Sequence, residues 1–232
     1  MRVVKKNVNC SICNTFNIVD DICSVSSFGS GDLDFRPPFM SKYLISFQIN
    51  VCIECNYVNS DLEEKIINAE NIIKNESYLN QLENPSFPDK ANAYLAHSIM
   101  LKSSNQIADA GWACLKAAWI CDDQKKNEES IFCRKRALDM FMQAINEECV
   151  IFGMESSKDF DDFNNKILII DIMRRISNFK ESKKKCIDAL NLNFHNNNQN
   201  LKKIFQYELF LNENKDSGCH TIDEAIEYKM KE

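Results

Sequence analysis

The sequence predicts a mainly α-helical protein with a small β-type lobe at its N-terminus. The 232 residues include only 5 glycines and 4 prolines, and so few turn-forming residues favour helices over many short strands. From residue 60 onward, apolar residues recur at intervals of three and four, which is the spacing of an amphipathic helix. Two Cys-x-x-Cys pairs lie within the first 55 residues, a pattern typical of a zinc-ribbon-like lobe.

Residues 1–59 are expected to form this zinc-ribbon-like lobe. Residues 15–19 follow the first cysteine pair and could form a short strand. Residues 28–38 contain two glycines and two prolines and predict a loop. Residues 43–51 alternate apolar and polar side chains, which predicts a strand that leads into the second cysteine pair.

Residues 60–232 are expected to form a second domain, built from tetratricopeptide-like antiparallel helix pairs. The predicted helices cover residues 62–75, 90–103, 109–121, 128–147, 161–177, 181–192, 200–211 and 223–231. Thr221 is expected to cap the last helix, with Glu224 as its capping-box partner. Residues 166–192 form the clearest repeat-like unit, because Ala189 and Leu190 provide the small and large side chains that such a repeat places in sequence.

Four cysteines of the N-terminal lobe are candidate ligands of one structural zinc ion: Cys10, Cys13, Cys52 and Cys55. Zinc prefers four tetrahedral donors, and Cys-x-x-Cys on a tight turn directs two sulfurs at one point. Such a turn often needs a positive φ after its second cysteine, where Asn14 and Asn56 stand, and asparagine tolerates this conformation well. Four thiolates leave no open position for water, so the site is expected to be structural. The alternative is two free cysteine pairs or a redox dithiol.

The second feature of interest is the segment that contains Asp32, Asp34 and Arg36. If this segment is extended, both carboxylates face one way. One interpretation is a functional loop that binds a second metal or a substrate. The favoured interpretation is structural: Arg36 pairs with a carboxylate, and Leu33 and Phe35 dock the loop onto the helices.

Several other polar groups are weaker candidates. The three histidines, His97, His195 and His220, are expected to be structural or on the surface. Cys219 and His220 could form a metal pair with Asp216, although nothing nearby in the sequence completes the set. Two further candidates, Arg174 and Arg175, could line a groove, but a solvated helix end is the favoured interpretation.

Charge and composition narrow the class of protein. The net charge is −6, and residues 1–60 contain five basic and five acidic groups, so neither part has the basic excess of a nucleic-acid binder. Positive residues near the N-terminus precede no apolar run, so no signal peptide is expected, and the aliphatic runs are too short to cross a membrane. The 11 cysteines are an odd number in a long chain, which favours reduced thiols and a cytoplasmic location.

The ordered set of motifs resembles the bacterial uncharacterised family DUF2225. The resemblance is carried by the first Cys-x-x-Cys pair, the Gly-x-Asp-x-Asp-like loop with Arg-Pro at 31–37, and the second pair with its tyrosine at 43–57. An Ala-Trp element at 118–119 and an Arg-Arg element at 174–179 extend it into the helical part. The resemblance covers about residues 8–215. It implies zinc binding and repeat helices, and it implies no established reaction.

These observations predict a zinc-binding scaffold or adaptor, with one structural zinc per chain and a helical surface that binds a protein or peptide. No catalytic set is visible, which favours a role other than an enzyme. Two alternatives remain open at this point. One is a nucleic-acid-binding zinc ribbon, and the other is a metal-dependent hydrolase that uses Asp32 and Asp34.

Overall fold

The computed structural model describes residues 2–39, 41–152, 158–192, 194 and 199–229. Its contacts divide the chain into two compact units. Unit 1 comprises Met1–Ser27 and Met40–Cys149, and unit 2 comprises Phe28–Phe39 and Val150–Glu232. Antiparallel strand pairs come first and helices follow, which confirms the mainly helical fold class. The predicted domain boundary at residue 59 stays a prediction, and residues 28–39 belong to the same unit as the C-terminal helices.

Unit 1 begins with two separate hairpins. Strand β1 (Arg2–Asn9) pairs antiparallel with β2 (Phe16–Ser24), and the short strand β3 (Asn50–Val51) pairs antiparallel with β4 (Val58–Asn59). One Cys-x-x-Cys turn lies at the tip of each hairpin. The strand predicted at residues 15–19 is confirmed, and it extends further than the sequence indicated.

The strand predicted for residues 43–51 is wrong over most of its length. A 3-10 helix occupies Ser41–Phe47, and only Asn50–Val51 is extended. The adjacent residues Leu44 and Ile45 are both buried, whereas neighbours on a strand point to opposite faces. The hydroxyl of Tyr94 donates to the carbonyl of Ile45 at 2.7 Å, which occupies an oxygen that a strand ladder would need.

Five α-helices follow among the described residues of unit 1: α1 (Ala69–Ile72), α2 (Glu76–Leu82), α3 (Asp89–Ser103), α4 (Ile107–Asp123) and α5 (Asn127–Asn146). The helix predicted for residues 62–75 is wrong before residue 69. The carbonyl of Glu64 accepts hydrogen bonds from the side chains of Ser11, Tyr57 and Asn59 instead of from a helical amide. Asn68, at a φ of 61°, then interrupts the backbone just before α1.

Long helices in this protein end without glycine. After α3, the amide of Asn105 donates to the carbonyl of Lys102 at 3.1 Å, and the amide of Gln106 donates to that of Leu101 at 2.9 Å. This pair of bonds is the Schellman motif, which requires a left-handed residue. The same two bonds and a positive φ recur at five positions: Asn105, Lys125, Glu148, Ser177 and Lys215. Non-glycine residues in the left-handed conformation therefore end these helices, although the chain has few glycines.

Unit 2 contains four helices among its described residues: α6 (Lys158–Arg175), α7 (Phe179–Leu190), α8 (Gln199–Glu213) and α9 (Ile222–Glu227). Thr221 and Glu224 form the predicted capping box at the start of α9. In both units successive long helices pack together, α3 to α5 in one and α6 to α8 in the other. Their assignment as tetratricopeptide-like repeats stays a prediction.

The loop at residues 28–39 is part of the core of unit 2. Leu33 is 1% exposed and packs with Ile170 and Phe205. The amide of Leu33 donates to the carbonyl of His220 at 2.9 Å, and the amide of Ile222 donates to that of Gly31 at 2.9 Å. These backbone bonds join the loop to the segment that leads into α9.

Candidate metal centre

The tips of the two hairpins bring four sulfur atoms together. The Sγ atoms of Cys10 and Cys55 are 3.7 Å apart, and those of Cys13 and Cys52 are 3.6 Å apart. All four sulfurs lie within 4.8 Å of one another. Around a tetrahedral zinc ion with Zn–S distances of about 2.3 Å, neighbouring sulfurs are about 3.8 Å apart. The four cysteines could therefore hold one metal ion, and their spacing is consistent with zinc.

The two turns have the same backbone geometry. The amide of Asn14 donates to the carbonyl of Cys10 at 2.8 Å, and the amide of Asn56 donates to that of Cys52 at 3.1 Å. Asn14 and Asn56 have φ values of 59° and 60°. The left-handed conformation predicted for both asparagines is therefore confirmed, and each turn directs its two sulfurs to one side.

Asn17 connects the two turns, and the sequence analysis did not identify it. Its side chain is buried at 3% exposure, and its Nδ2 atom lies 3.6 Å from the sulfur of Cys52. Its Oδ1 atom accepts a hydrogen bond from the amide of Ile53 at 3.1 Å. An asparagine near a cysteine pair has no characteristic spacing, so only the fold shows that Asn17 reaches across to the second hairpin.

The thiols differ in acidity. Burial is the largest effect on Cys10 and Cys55, and it raises the pKa of both. Burial also acts on Cys13, but hydrogen bonds with Thr15, Cys55 and Cys52 outweigh it and lower the pKa of Cys13 to about 6. Cys10 and Cys55 therefore hold their protons more tightly than Cys13 does. A bound dication displaces those protons, because metal ligation requires thiolates.

The carboxylates of the loop in unit 2 are in different surroundings. Asp34 is 1% exposed, and its Oδ2 atom lies 3.9 Å from a guanidinium nitrogen of Arg175. The Oδ2 atom of Asp32 accepts a hydrogen bond from the thiol of Cys219 at 3.1 Å, and burial raises the pKa of Asp32. Arg36 is also buried, and its amide donates to Asp34 at 3.4 Å.

Gly31 fixes the shape of this loop. A Cβ atom at position 31 would lie 2.7 Å from the carbonyl oxygen of Arg36, so the close approach of the two backbone segments requires glycine. The amide of Asp32 donates to that same carbonyl at 2.9 Å. These contacts account for the loop as a structural element, and a ligand-binding role for Asp32, Asp34 and Arg36 stays a prediction.

Arg174 is not at a solvated helix end, so that interpretation is wrong. Its side chain is 0% exposed, forms an ion pair with Asp171 and donates a hydrogen bond to Glu208 at 3.0 Å. It also donates to the carbonyls of Asp216 and Gly218, each at 2.8 Å. The i,i+3 spacing of Asp171 and Arg174 on α6 could have predicted their pairing from the sequence. Glu208 lies in the apolar middle of α8, and no local pattern relates it to Arg174.

His220 fixes the turn before α9. Its Nε2 atom is 3.1 Å from Asp216, and its Nδ1 atom is 3.0 Å from the hydroxyl of Tyr207 and 3.1 Å from Glu224. Among the described residues, only the four cysteines form a group of three or more potential ligand side chains close enough to hold one ion. Cys219 and His220 are not in that group. His195 lies outside the described residues.

Comparison with known proteins identifies the family. The chain matches the model of DUF2225, described as an uncharacterized protein conserved in bacteria, over residues 3–209. The chain therefore belongs to DUF2225. No curated protein and no solved structure matches it. Each helix in the described part of the chain is too short or too polar to cross a membrane.

The buried pair of Glu208 and Arg174 predicts a pH dependence of stability. Burial raises the pKa of Glu208 well above its usual range, and the nearby Asp171 raises it further. A raised pKa means that the folded state binds the proton of Glu208 more tightly than the unfolded state does. The resulting contribution to the free energy of unfolding is fully present below the unfolded pKa of about 4.3 and decreases as the pH rises. Glu208→Gln, which cannot ionise, should therefore gain stability relative to wild type by up to about 1.4 kcal/mol per pH unit above that value.

Urea unfolding between pH 5 and pH 8 measures this difference. Glu213→Gln is the matched control, because Glu213 lies on the same helix with an exposed side chain. The control should change stability little at any pH. A loss of stability in Glu208→Gln that is the same at every pH would contradict the prediction and indicate an ionised Glu208.

Proposed function

We propose that the protein is a zinc-stabilised scaffold or adaptor, in which the four clustered cysteines hold one structural zinc ion and the helices bind a protein or peptide partner. The observation that carries the proposal is the convergence of four sulfurs from two hairpins. Four protein thiolates fill the coordination sphere of zinc, which is typical of structural sites, whereas catalytic sites keep a position for water. Thiolate ligands require reducing conditions, so the proposal includes a cytoplasmic setting.

A bound zinc ion would join the two hairpins, which share no strand pairing. The hairpin of β1 and β2 and the hairpin of β3 and β4 form separate sheets, and β3 and β4 have only two residues each. A two-stranded hairpin is marginally stable alone. Each close sulfur pair takes one cysteine from each hairpin, so an ion bound there crosslinks segments about 40 residues apart in sequence and contributes folding free energy.

An exposed aromatic cluster on unit 1 supports the adaptor part of the proposal. Phe132 on α5 is 46% exposed, and its ring centroid is 5.7 Å from that of Phe87. The guanidinium of Arg136 lies 5.9 Å from the Phe132 ring. Aromatic residues and arginine are enriched in protein–protein interfaces, so this cluster, Phe87, Phe132 and Arg136, is the surface we assign to a partner.

Neither alternative function gains an observation in its favour. The net charge of −6 opposes binding to a phosphate backbone. Asp34, which a hydrolase would use with Asp32, is buried next to Arg175. A carboxylate in that position is already neutralised by a protein cation.

Replacement of Asn17 tests the metal part of the proposal. Asn17→Ala removes the amide that contacts the Cys52 sulfur and the Ile53 amide, so zinc affinity should fall by about 10–100-fold, as for other residues that orient metal ligands. Competition with a chromophoric chelator measures the affinity. Asn59→Ala is the matched control, since Asn59 is similarly buried but donates to Tyr57 and Glu64. An equal loss of affinity in both variants would contradict a specific role of Asn17.

Affinity capture with the full chain tests the adaptor part. A protein retained by the wild type should be lost from Phe132→Glu, because a charge replaces the aromatic side chain at the centre of the assigned surface. Phe16→Glu is the control, since Phe16 is 54% exposed on β2, in the hairpin that contains the first Cys-x-x-Cys turn. Circular dichroism verifies that both variants are folded. Failure to retain any specific protein, or equal retention by Phe132→Glu, would rule out the assigned surface.

A further inference from the structure

Unit 1 contains a cleft of about 490 Å³ beside helices α3 and α4. Its opposite wall comes from the chain around β3 and β4 and from residues 64–67. Nine polar or charged and seven apolar or aromatic residues line it, among them Tyr94, His97, Trp112 and Lys116. Sites for small molecules usually have volumes of about 300–1,000 Å³.

Lys116 lines the cleft, and its ammonium group has no hydrogen-bond acceptor among the described residues. Its Nζ atom lies 5.7 Å from the centre of the Tyr94 ring. Within the described part of the chain, no carboxylate oxygen lies within 4.0 Å of that Nζ atom, and no hydrogen-bond acceptor is in contact with it. Burial lowers the pKa of Lys116, and the more distant Asp109 opposes this change only in part. Lys116 is half-buried, so its ammonium group is partly desolvated and has no full partner.

His97 stands beside this cation and is also unsatisfied. Its Nε2 atom is closed to solvent and has no hydrogen-bond partner in the described structure. Burial is the larger effect and the charge of Lys116 the smaller one, and together they lower the pKa of His97 to about 4. Two side chains of the cleft, the cationic Lys116 and the neutral His97, thus have perturbed pKa values, and such groups in a cleft are candidates for a functional site.

Three other charged side chains line the cleft. Lys65 forms an ion pair with Glu70. Asp109 is seven residues before Lys116 on α4, and Glu64 belongs to the opposite wall. Lys116 is therefore a cation of the cleft that no carboxylate contacts within the described residues, and the aromatic side chains of Tyr94 and Trp112 line the same cleft.

We propose that this cleft binds a small organic anion, with its carboxylate or phosphate group at Lys116 and an apolar or aromatic body against Tyr94 and Trp112. The anion supplies the acceptor that Lys116 lacks. The neutral His97 ring forms the adjoining wall. This site is independent of the zinc ligands and of the surface assigned to a protein partner.

Matched probes test the charge requirement in the wild-type chain. The probes are 3-phenylpropionate, its neutral amide 3-phenylpropanamide, and phenyl phosphate, with binding followed by NMR titration. At least one anion should bind with a Kd on the order of 1 mM, as expected for so few atoms, and the amide should bind about tenfold more weakly or worse. A preference for one anion identifies the ligand as a carboxylic acid or a phosphate ester.

Lys116→Met assigns the binding to this cleft, because it keeps the apolar stem and removes the charge. The variant should lose the preference for the anion over the amide, while Lys102→Met, at an exposed position on α3, should retain it. The His97 imidazole provides a second readout, since its pKa should rise when the anion is bound and stay unchanged with the amide. Absence of binding by both anions, equal binding of the amide, or an unaltered preference in Lys116→Met would overturn the proposal.

Discussion

The convergence of four sulfur atoms is the constraint on which the N-terminal part of the structure depends. Cys10 and Cys13 come from one hairpin and Cys52 and Cys55 from another, and the two hairpins belong to separate sheets. Two left-handed asparagines shape the turns, and Asn17 connects one turn to the other. Because the second hairpin has strands of only two residues, its position relies on the sulfur cluster more than on backbone pairing.

Unit 2 depends on a different constraint, which is the satisfaction of buried charge. Arg174 is enclosed by the carboxyl groups of Asp171 and Glu208 and by two carbonyls, and a buried cation is tolerated only with such partners. The loop at residues 28–39 completes the same unit, because Leu33 fills its core and the loop backbone bonds to the segment before α9. The packing of Leu33 and the backbone bonds of the loop therefore give the Asp-x-Asp segment a structural role in unit 2.

The sequence predicted best those features that are determined by residues close together in the chain. Cys-x-x-Cys followed by asparagine predicted both turns, and Thr221 with Glu224 predicted the last cap. Apolar periodicity located the long helices to within a few residues. It failed for residues 43–51, where adjacent buried side chains required a helical turn, and for residues 62–68, where the carbonyl of Glu64 bonds to side chains.

The contacts between distant segments could not be predicted from local patterns. The side chain of Glu208 contacts Arg174, 34 residues earlier in the chain. The alternation of Leu33 and Phe35 predicted that the loop docks onto helices, but nothing in the sequence indicated the C-terminal ones. The cleft at His97 and Lys116 was missed for the same reason. A lone histidine on a helix is most often structural, and only the fold shows that it stands beside an unmatched lysine.

Native mass spectrometry of the purified full chain, with the metal content verified by elemental analysis, tests the central claim most directly. The account predicts one zinc ion per wild-type chain, and no retained zinc in Cys52→Ser, where one of the four thiolates is lost. A folded wild-type chain without zinc, or full zinc retention in Cys52→Ser, would contradict the assignment of the four cysteines as a structural metal site.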